Sequence, residues 1–194
     1  MANAKTVISV LILFNTEYGF MKKILIAVDL QNDFVDGALG TQEAVSVIPA
    51  AAAKIRNFEG DIFVTLDTHG EDYLNTAEGK KLPVVHCVKG SSGWQLNKEI
   101  LSALEGKKYI TVEKPAFGST LLPHLIEKAA GGEELRVELI GLCTDICVVS
   151  NALIIKAFFP EAQISVDSAC CAGVTVEKHI AALETMRSCQ IDIN

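Results

Sequence analysis

A chain of 194 residues has single-domain length and can bury a full core. Its net charge of −7, with no basic cluster longer than two residues, argues against nucleic acid or an anionic membrane as partner. The hydrophobic fraction of 49% and mean hydropathy of +0.31 are accounted for by buried parallel strands and by flat self-association contacts, the latter pointing to a homo-oligomer. Six cysteines without the spacing of a disulfide scaffold fit a reduced, cytoplasmic setting.

Residues 1–20 read as an N-terminal extension. Val7 to Phe14 is apolar but too short to span a bilayer. Lys5 precedes it, as in a secretory signal, yet Asn15 to Phe20 offer no small-residue cleavage site. Met21 stands directly before the first strand and makes a natural start, so a misplaced start codon is favoured over an export signal. The extension is expected to be disordered or to pack as an added strand. Residues 21–194 are expected to form one domain.

From there strands and helices alternate. Strand 1 covers Ile24 to Asp29, and an alanine-rich helix runs from Glu43 to Phe58. Asp61 to Asp67 is strand 2, followed by a long polar connection rich in glycine. A short helix over Asn97 to Leu104 leads into strand 3, Tyr109 to Glu113. The helix from Thr120 to Ala130 stops at Gly131-Gly132. Leu135 to Ile140 is strand 4, Val148 to Phe159 a buried helix, and Gln163 to Asp167 strand 5. Val176 to Arg187 is the last helix and Gln190 to Asn194 the last strand. This alternation implies an α/β, three-layer, doubly wound fold on a parallel sheet with right-handed crossovers.

Three strand ends carry chemistry. Gly141-Leu-Cys-Thr-Asp-Ile-Cys147 joins a strand to a helix. That places Cys147 at a helix's first turn, where free N–H groups and the dipole lower a thiol's pKa. The alternative is a small buried apolar residue. Asp29 ends a five-residue apolar run typical of a central strand, and Lys114 ends strand 3 just before Pro115. Singly, Asp29 reads as a helix cap or turn residue and Lys114 as a solvated lysine. An acid, an ammonium and a thiol at three strand ends point together to one catalytic crevice.

The segments "DLQNDFVDG", "KPAFGS" and "GLCTDICV", collinear over residues 22–193, resemble the isochorismatase-like cysteine hydrolases, and within them the nicotinamidases and related amidases. The resemblance implies a six-stranded sheet of order 3-2-1-4-5-6, with Asp29, Lys114 and Cys147 as catalytic triad. It also implies a cis peptide at Leu142–Cys143, whose use is to aim the N–H groups of Cys143 and Cys147 at one oxyanion.

The connection after strand 2 holds a metal-ligand pattern. Asp67 and His69 are two apart at a strand end and project the same way. With His86 they form a carboxylate and two imidazoles, a set suited to one divalent transition metal: zinc first, iron or manganese as alternatives. In the competing reading His69 is a loop histidine and His86 holds the loop by hydrogen bonds. Nicotinamidases carry this Asp-x-His…His set. Relatives also imply Glu78 as fourth ligand, with Glu71 as runner-up. Many nicotinamidases place a tryptophan about three residues before the second histidine, where this chain has Pro83. Phe34 is the candidate aromatic wall for substrate, with core filling as its alternative. Trp94 lines the pocket or anchors the loop. His124 and His179 carry no motif, and Cys87, Cys170, Cys171 and Cys189 read as packing residues.

The expected activity is cysteine-dependent hydrolysis of a small amide through a thioester, nicotinamide to nicotinate plus ammonia. The alternatives are another amide or ureido hydrolase of the superfamily, or a non-catalytic metal-binding assembly module. Isochorismatase chemistry itself does not use the cysteine.

Overall fold

The computed structural model describes residues 21–194. The expectations for residues 1–20 lie outside the described residues. Six strands pair in parallel in the order β3-β2-β1-β4-β5-β6. They are β1 Met21–Val28, β2 Asp61–Asp67, β3 Tyr109–Lys114, β4 Glu134–Leu142, β5 Gln163–Ala172 and β6 Asp192–Ile193. The helices are α1 Asn32–Val35, α2 Gln42–Asn57, α3 Lys98–Leu104, α4 Leu122–Ala130, α5 Val149–Phe158 and α6 Val176–Ser188. The expected architecture is the observed one.

Strand periodicity divides the core. In β1, Leu25 and Ala27 face one apolar cluster while Ile24, Ile26 and Val28 face another. The first cluster takes Ala44, Ile48, Ala51, Ala52 and Ile55 of α2 and Ile100 and Ala103 of α3. The second takes Leu122 and Ile126 of α4, Ala152 and Ile155 of α5, and Leu183 and Met186 of α6. A strand buried on both faces must be apolar throughout, which explains the run from Ile24 to Val28. Each such side chain contributes about 1.5–3 kcal/mol of burial.

Local signals set the helix ends. The Thr41 hydroxyl accepts from Ala44 N–H at 3.0 Å and caps α2. Gly131 closes α4 with φ of 61°, a left-handed conformation that glycine adopts freely.

Some boundaries differ from the sequence reading. β1 begins at Met21, pairing with Glu134 of a longer β4. β5 continues past Asp167 to Ala172, because its register against β4 shifts between Leu139 and Gly141 and pairing resumes at Cys171. Cys170 and Cys171 therefore lie within the strand rather than after it. Cys189 is exposed, not packed.

The chain winds β1 to β3 in one direction and returns to place β4 beside β1. The crevice of a doubly wound sheet lies at that reversal, beyond the carboxyl ends of the strands.

Candidate active site and metal centre

Asp29 follows the last residue of β1 with φ of 49°, a conformation unusual outside glycine and costing on the order of 1–3 kcal/mol. Two contacts with β2 hold it there. Its N–H donates to Thr65 O at 3.2 Å, and the Thr65 hydroxyl donates to Asp29 Oδ1 at 2.6 Å. Lys114 comes from the edge strand β3 yet is only 1% exposed. Its Nζ lies 2.6 Å from Asp29 Oδ2, 3.1 Å from Asp67 Oδ1, 3.2 Å from Ala116 O and 3.4 Å from Cys147 Sγ. The approach to Asp29 Oδ2 is close but poorly aligned for a hydrogen bond. It is an ion pair that leaves an Oδ2 lone pair unused.

Cys147 sits in a single wide turn, Thr144–Val148, that precedes α5. The turn opens because Cys143 O accepts from both Ile146 N–H at 3.0 Å and Val148 N–H at 3.1 Å. The Leu142–Cys143 peptide is cis, as the resemblance implied. Just upstream, Gly141 has φ of 124°, and a Cβ there would collide with the Val28 carbonyl.

The electrostatics revise one expectation. The helix start was expected to lower the Cys147 pKa. Instead burial, and then the charge of Asp29, push the thiol well above its ordinary value, with Lys114 pulling back only in part. Burial likewise raises the Asp29 carboxyl despite Lys114. Burial alone would lower the Lys114 ammonium, but Asp29, Cys147 and Asp67 outweigh it and hold the group up. Ionisation of the thiol is thus disfavoured beside the close Asp29–Lys114 pair.

Asp67, His69, Glu78 and His86 bring one ligand atom each to within 4.8 Å of one another. His69 Nε2 lies 2.9 Å from Asp67 Oδ2 and His86 Nε2 lies 3.6 Å from it. Glu78 Oε1 stands 3.9 Å from His69 Nε2 and 3.8 Å from His86 Nε2. Glu71 is not in the group. The His86 ring is oriented for ligation. Its Nδ1–H donates to Val84 O at 2.8 Å, which leaves the Nε2 lone pair facing the cluster. Two carboxylates and two imidazoles, so arranged, are a donor set that zinc, iron or manganese fits. Burial would raise Asp67, but the hydrogen bond with His69, the nearby His86 ring and the Lys114 charge together hold it low.

Other residues of the site carried no sequence signal of their own. Gln31 is fully buried and clamps the Asp67 backbone. Its Oε1 accepts from Asp67 N–H at 2.8 Å, and its Nε2 donates to Asp67 O at 2.9 Å and Trp94 O at 2.8 Å. The Asp33 carboxylate accepts from Cys87 N–H at 2.7 Å and so fixes the segment that carries His86. Both lie in the DLQNDFVDG segment that carries the resemblance, where neither was assigned a role. Trp94 anchors its loop, its Nε1–H donating to the Thr68 hydroxyl at 2.9 Å. Phe34 is buried in the first core cluster with its ring edge-on to His86 at 5.6 Å between centroids.

A cavity of ≈ 510 Å³ opens against this centre, lined by His69, Glu78, Leu82, Ala116, Phe117 and Ile146 among others. A larger depression of ≈ 700 Å³ beside Lys54, Glu138 and Asp167 is unconnected with these groups, and Lys54 is already paired with Glu138 and Asp167.

The family model for the isochorismatase domain matches residues 23–193. The chain is 31% identical over 176 residues to an isochorismatase family protein of Bacillus subtilis, covering 84% of this chain and 93% of that one. It is 28% identical over 191 residues to the nicotinamidase/pyrazinamidase of Mycobacterium tuberculosis, covering 88% and 97% respectively. The structure superposes on the pyrazinamidase of Pyrococcus horikoshii in complex with zinc with a TM-score of 0.71. The identity there is 26%, and 89% of this chain and 98% of that chain are covered.

Proposed function

The chain belongs to the isochorismatase family, and from that premise we propose that it hydrolyses the carboxamide of a small molecule through a thioester on Cys147. Nicotinamide, giving nicotinate and ammonia, is the first substrate to test. The observation that carries the reading is the single ammonium of Lys114, which contacts Asp29, Cys147 and Asp67 together. A thiol, a base and the metal-ligand set thus form one buried unit.

Asp29 is the general base. Burial makes its carboxylate more basic than an exposed one, and the unused lone pair on Oδ2 can take the thiol proton. Lys114 supports the thiolate as it forms. The sulfur attacks the amide carbon, and the N–H groups of Cys143 and Cys147 receive the oxyanion. Asp29 returns the proton to the leaving nitrogen, ammonia departs and a thioester remains. Asp29 then takes a proton from water, the water oxygen attacks the thioester, and the acid leaves with the thiol restored.

Asp67, His69, His86 and Glu78 would hold one divalent metal, zinc first with iron or manganese as alternatives. When bound, the metal supplies a charge that orients a polar atom of the substrate. The P. horikoshii pyrazinamidase in complex with zinc supports this choice. Phe34, edge-on to His86, remains the proposed aromatic wall.

One observation favours a second reading. Pro83 occupies the place of a stacking tryptophan, and apart from Phe117 the apolar part of the cavity wall is aliphatic, with Ala77, Leu82, Ala116 and Ile146. An amide or ureido substrate without a flat ring would suit that wall. Ammonia release from nicotinamide and from an N-carbamoyl amino acid, with Cys147→Ala as control, separates the readings. Release from neither by the metal-loaded protein would leave a non-catalytic metal-binding module.

A further inference from the structure

Asn151 stands four residues after Cys147 on α5 and is fully buried. A buried amide in a helix interior demands partners, and here every polar group of the side chain has one. Its Nδ2 donates to Cys147 O at 2.8 Å and to Phe117 O at 3.2 Å. Its Oδ1 accepts from Ser119 N–H at 3.0 Å. Two carbonyls and one N–H admit only this orientation of the amide.

These partners belong to two parts of the site. Cys147 carries the nucleophile. Phe117 and Ser119 lie on the segment after β3, which begins with Lys114. Within that segment Ala116 O accepts from the Lys114 ammonium, and Ala116 and Phe117 wall the cavity. The segment is close-packed on α5, since a Cβ on Gly118 would meet Ile154 Cδ1 at 2.5 Å and Ser150 Cβ at 3.3 Å. The Ser119 hydroxyl also accepts from Leu122 N–H at 3.2 Å, tying the segment to the start of α4.

We propose that Asn151 is a positioning residue that locks the Lys114–Ser119 segment to the nucleophile turn, and so sets both the Lys114–Cys147 approach and the cavity wall at Phe117. The inference rests on Cys147 being the reacting thiol, as proposed above. It does not depend on which amide is the substrate.

Two variants separate its parts. Asn151→Leu removes all three contacts. Asn151→Thr keeps a hydroxyl able to bond back to Cys147 O four residues earlier but too short to reach Phe117 O or Ser119 N–H. Alkylation of Cys147 by iodoacetamide and by the bulkier N-ethylmaleimide is measured by peptide mapping, with exposed Cys189 as reference. In Asn151→Leu the pH profile of Cys147 alkylation should move and kcat/KM for the best amide should fall about tenfold or more, as small misplacements at a reacting centre do. In Asn151→Thr the link to the Lys114–Ser119 segment is also cut, so the iodoacetamide profile should move in the same direction as in Asn151→Leu, by a smaller amount because the bond to Cys147 O is kept. The wall is loose as well, so the N-ethylmaleimide-to-iodoacetamide rate ratio should rise and KM should increase.

Variants that lower only the melting temperature, with both alkylation rates and KM unchanged in the folded fraction, would overturn the proposal. If Asn151→Leu does not fold, an unchanged reagent ratio in Asn151→Thr overturns it alone. Altered alkylation without wild-type turnover of any amide would uphold the positioning role and remove the amidase reading.

Discussion

The Lys114 ammonium lies 3.1 Å from Asp67 Oδ1, so the cation that faces the Cys147 thiol also faces the Asp67–His69–Glu78–His86 cluster. Asp29 and Asp67 are both buried and both lean on this one positive charge. Removing it strands two carboxylates. Lys114→Met should destabilise the metal-free protein by about 3–5 kcal/mol, the usual penalty for breaking a buried pair. Saturating zinc should narrow the gap to wild type, because a second cation then balances Asp67. Urea unfolding with and without chelator measures both effects. Equal midpoints for variant and wild type would show that the ammonium balances neither acid.

Asp29→Asn should separate thiol ionisation from catalysis. In the native site the Cys147 thiol is held up by burial first and by the Asp29 charge second, so its thiolate fraction is small near neutrality and grows with rising pH. Deleting the carboxylate's charge while Lys114 remains should move the alkylation profile of Cys147 to lower pH. Turnover should nevertheless drop by about 10²–10⁴-fold, the typical contribution of a positioned base. An alkylation profile that does not move would mean that Asp29 does not act on the thiol.

Metal content should be about one transition-metal ion per chain by elemental analysis, as a mononuclear four-donor set requires. His69→Ala and His86→Ala should lose the metal and most amide turnover while keeping the fold by circular dichroism. Glu78→Ala should have the smaller effect, since Glu78 Oε1 stands farther from both imidazoles than Asp67 Oδ2 does. Unchanged metal content and turnover in His69→Ala would end the metal reading.

Gly141→Ala tests the backbone that leads into the nucleophile turn. The position combines φ of 124° with direct approach to Val28 O on the neighbouring strand. The variant should lose about 3 kcal/mol or more, or fail to accumulate as soluble protein. Wild-type stability in urea would show that the β1–β4 contact yields easily at this point.

Several apolar side chains stand out from the surface, among them Leu121 and Ile180 at 54% exposure and Val176 at 52%. Self-association should cover such residues. Light scattering should report a dimer or tetramer at micromolar concentration, and a monomer there would count against it.

The strand ends were legible because each interrupts an apolar run: Asp29 after Val28, Lys114 before Pro115, and Asp67 with His69 two residues on. Glu78 needed the family resemblance to be chosen over Glu71, and its place beside both histidines supports that choice. Asn151, Thr65 and Gln31 left no pattern to read. Apart from the Asn151 bond to Cys147 O, their partners are groups more than 30 residues away along the chain, and such pairings have no period. The thiol's direction of shift was misread for a related reason. A helix start shows in the sequence, whereas the 4% exposure of Cys147 comes from distant elements packing over it. No helix among the described residues is long and apolar enough to cross a membrane.

Cys143 packs against the apolar cluster that contains α2 and α3, while Cys147, four residues on, belongs to the cluster beneath α4, α5 and α6. The turn that carries Cys147 is thus a rivet through the sheet, gripped by a different core at each end. A saturation-mutagenesis map of activity should therefore show sensitive buried positions on both sides of the sheet. Loss of a methylene from Ile48 and one from Ile155 would reach the same sulfur by separate routes. Directed evolution of this scaffold could accordingly retune the Cys147 thiol from either layer while leaving the other undisturbed.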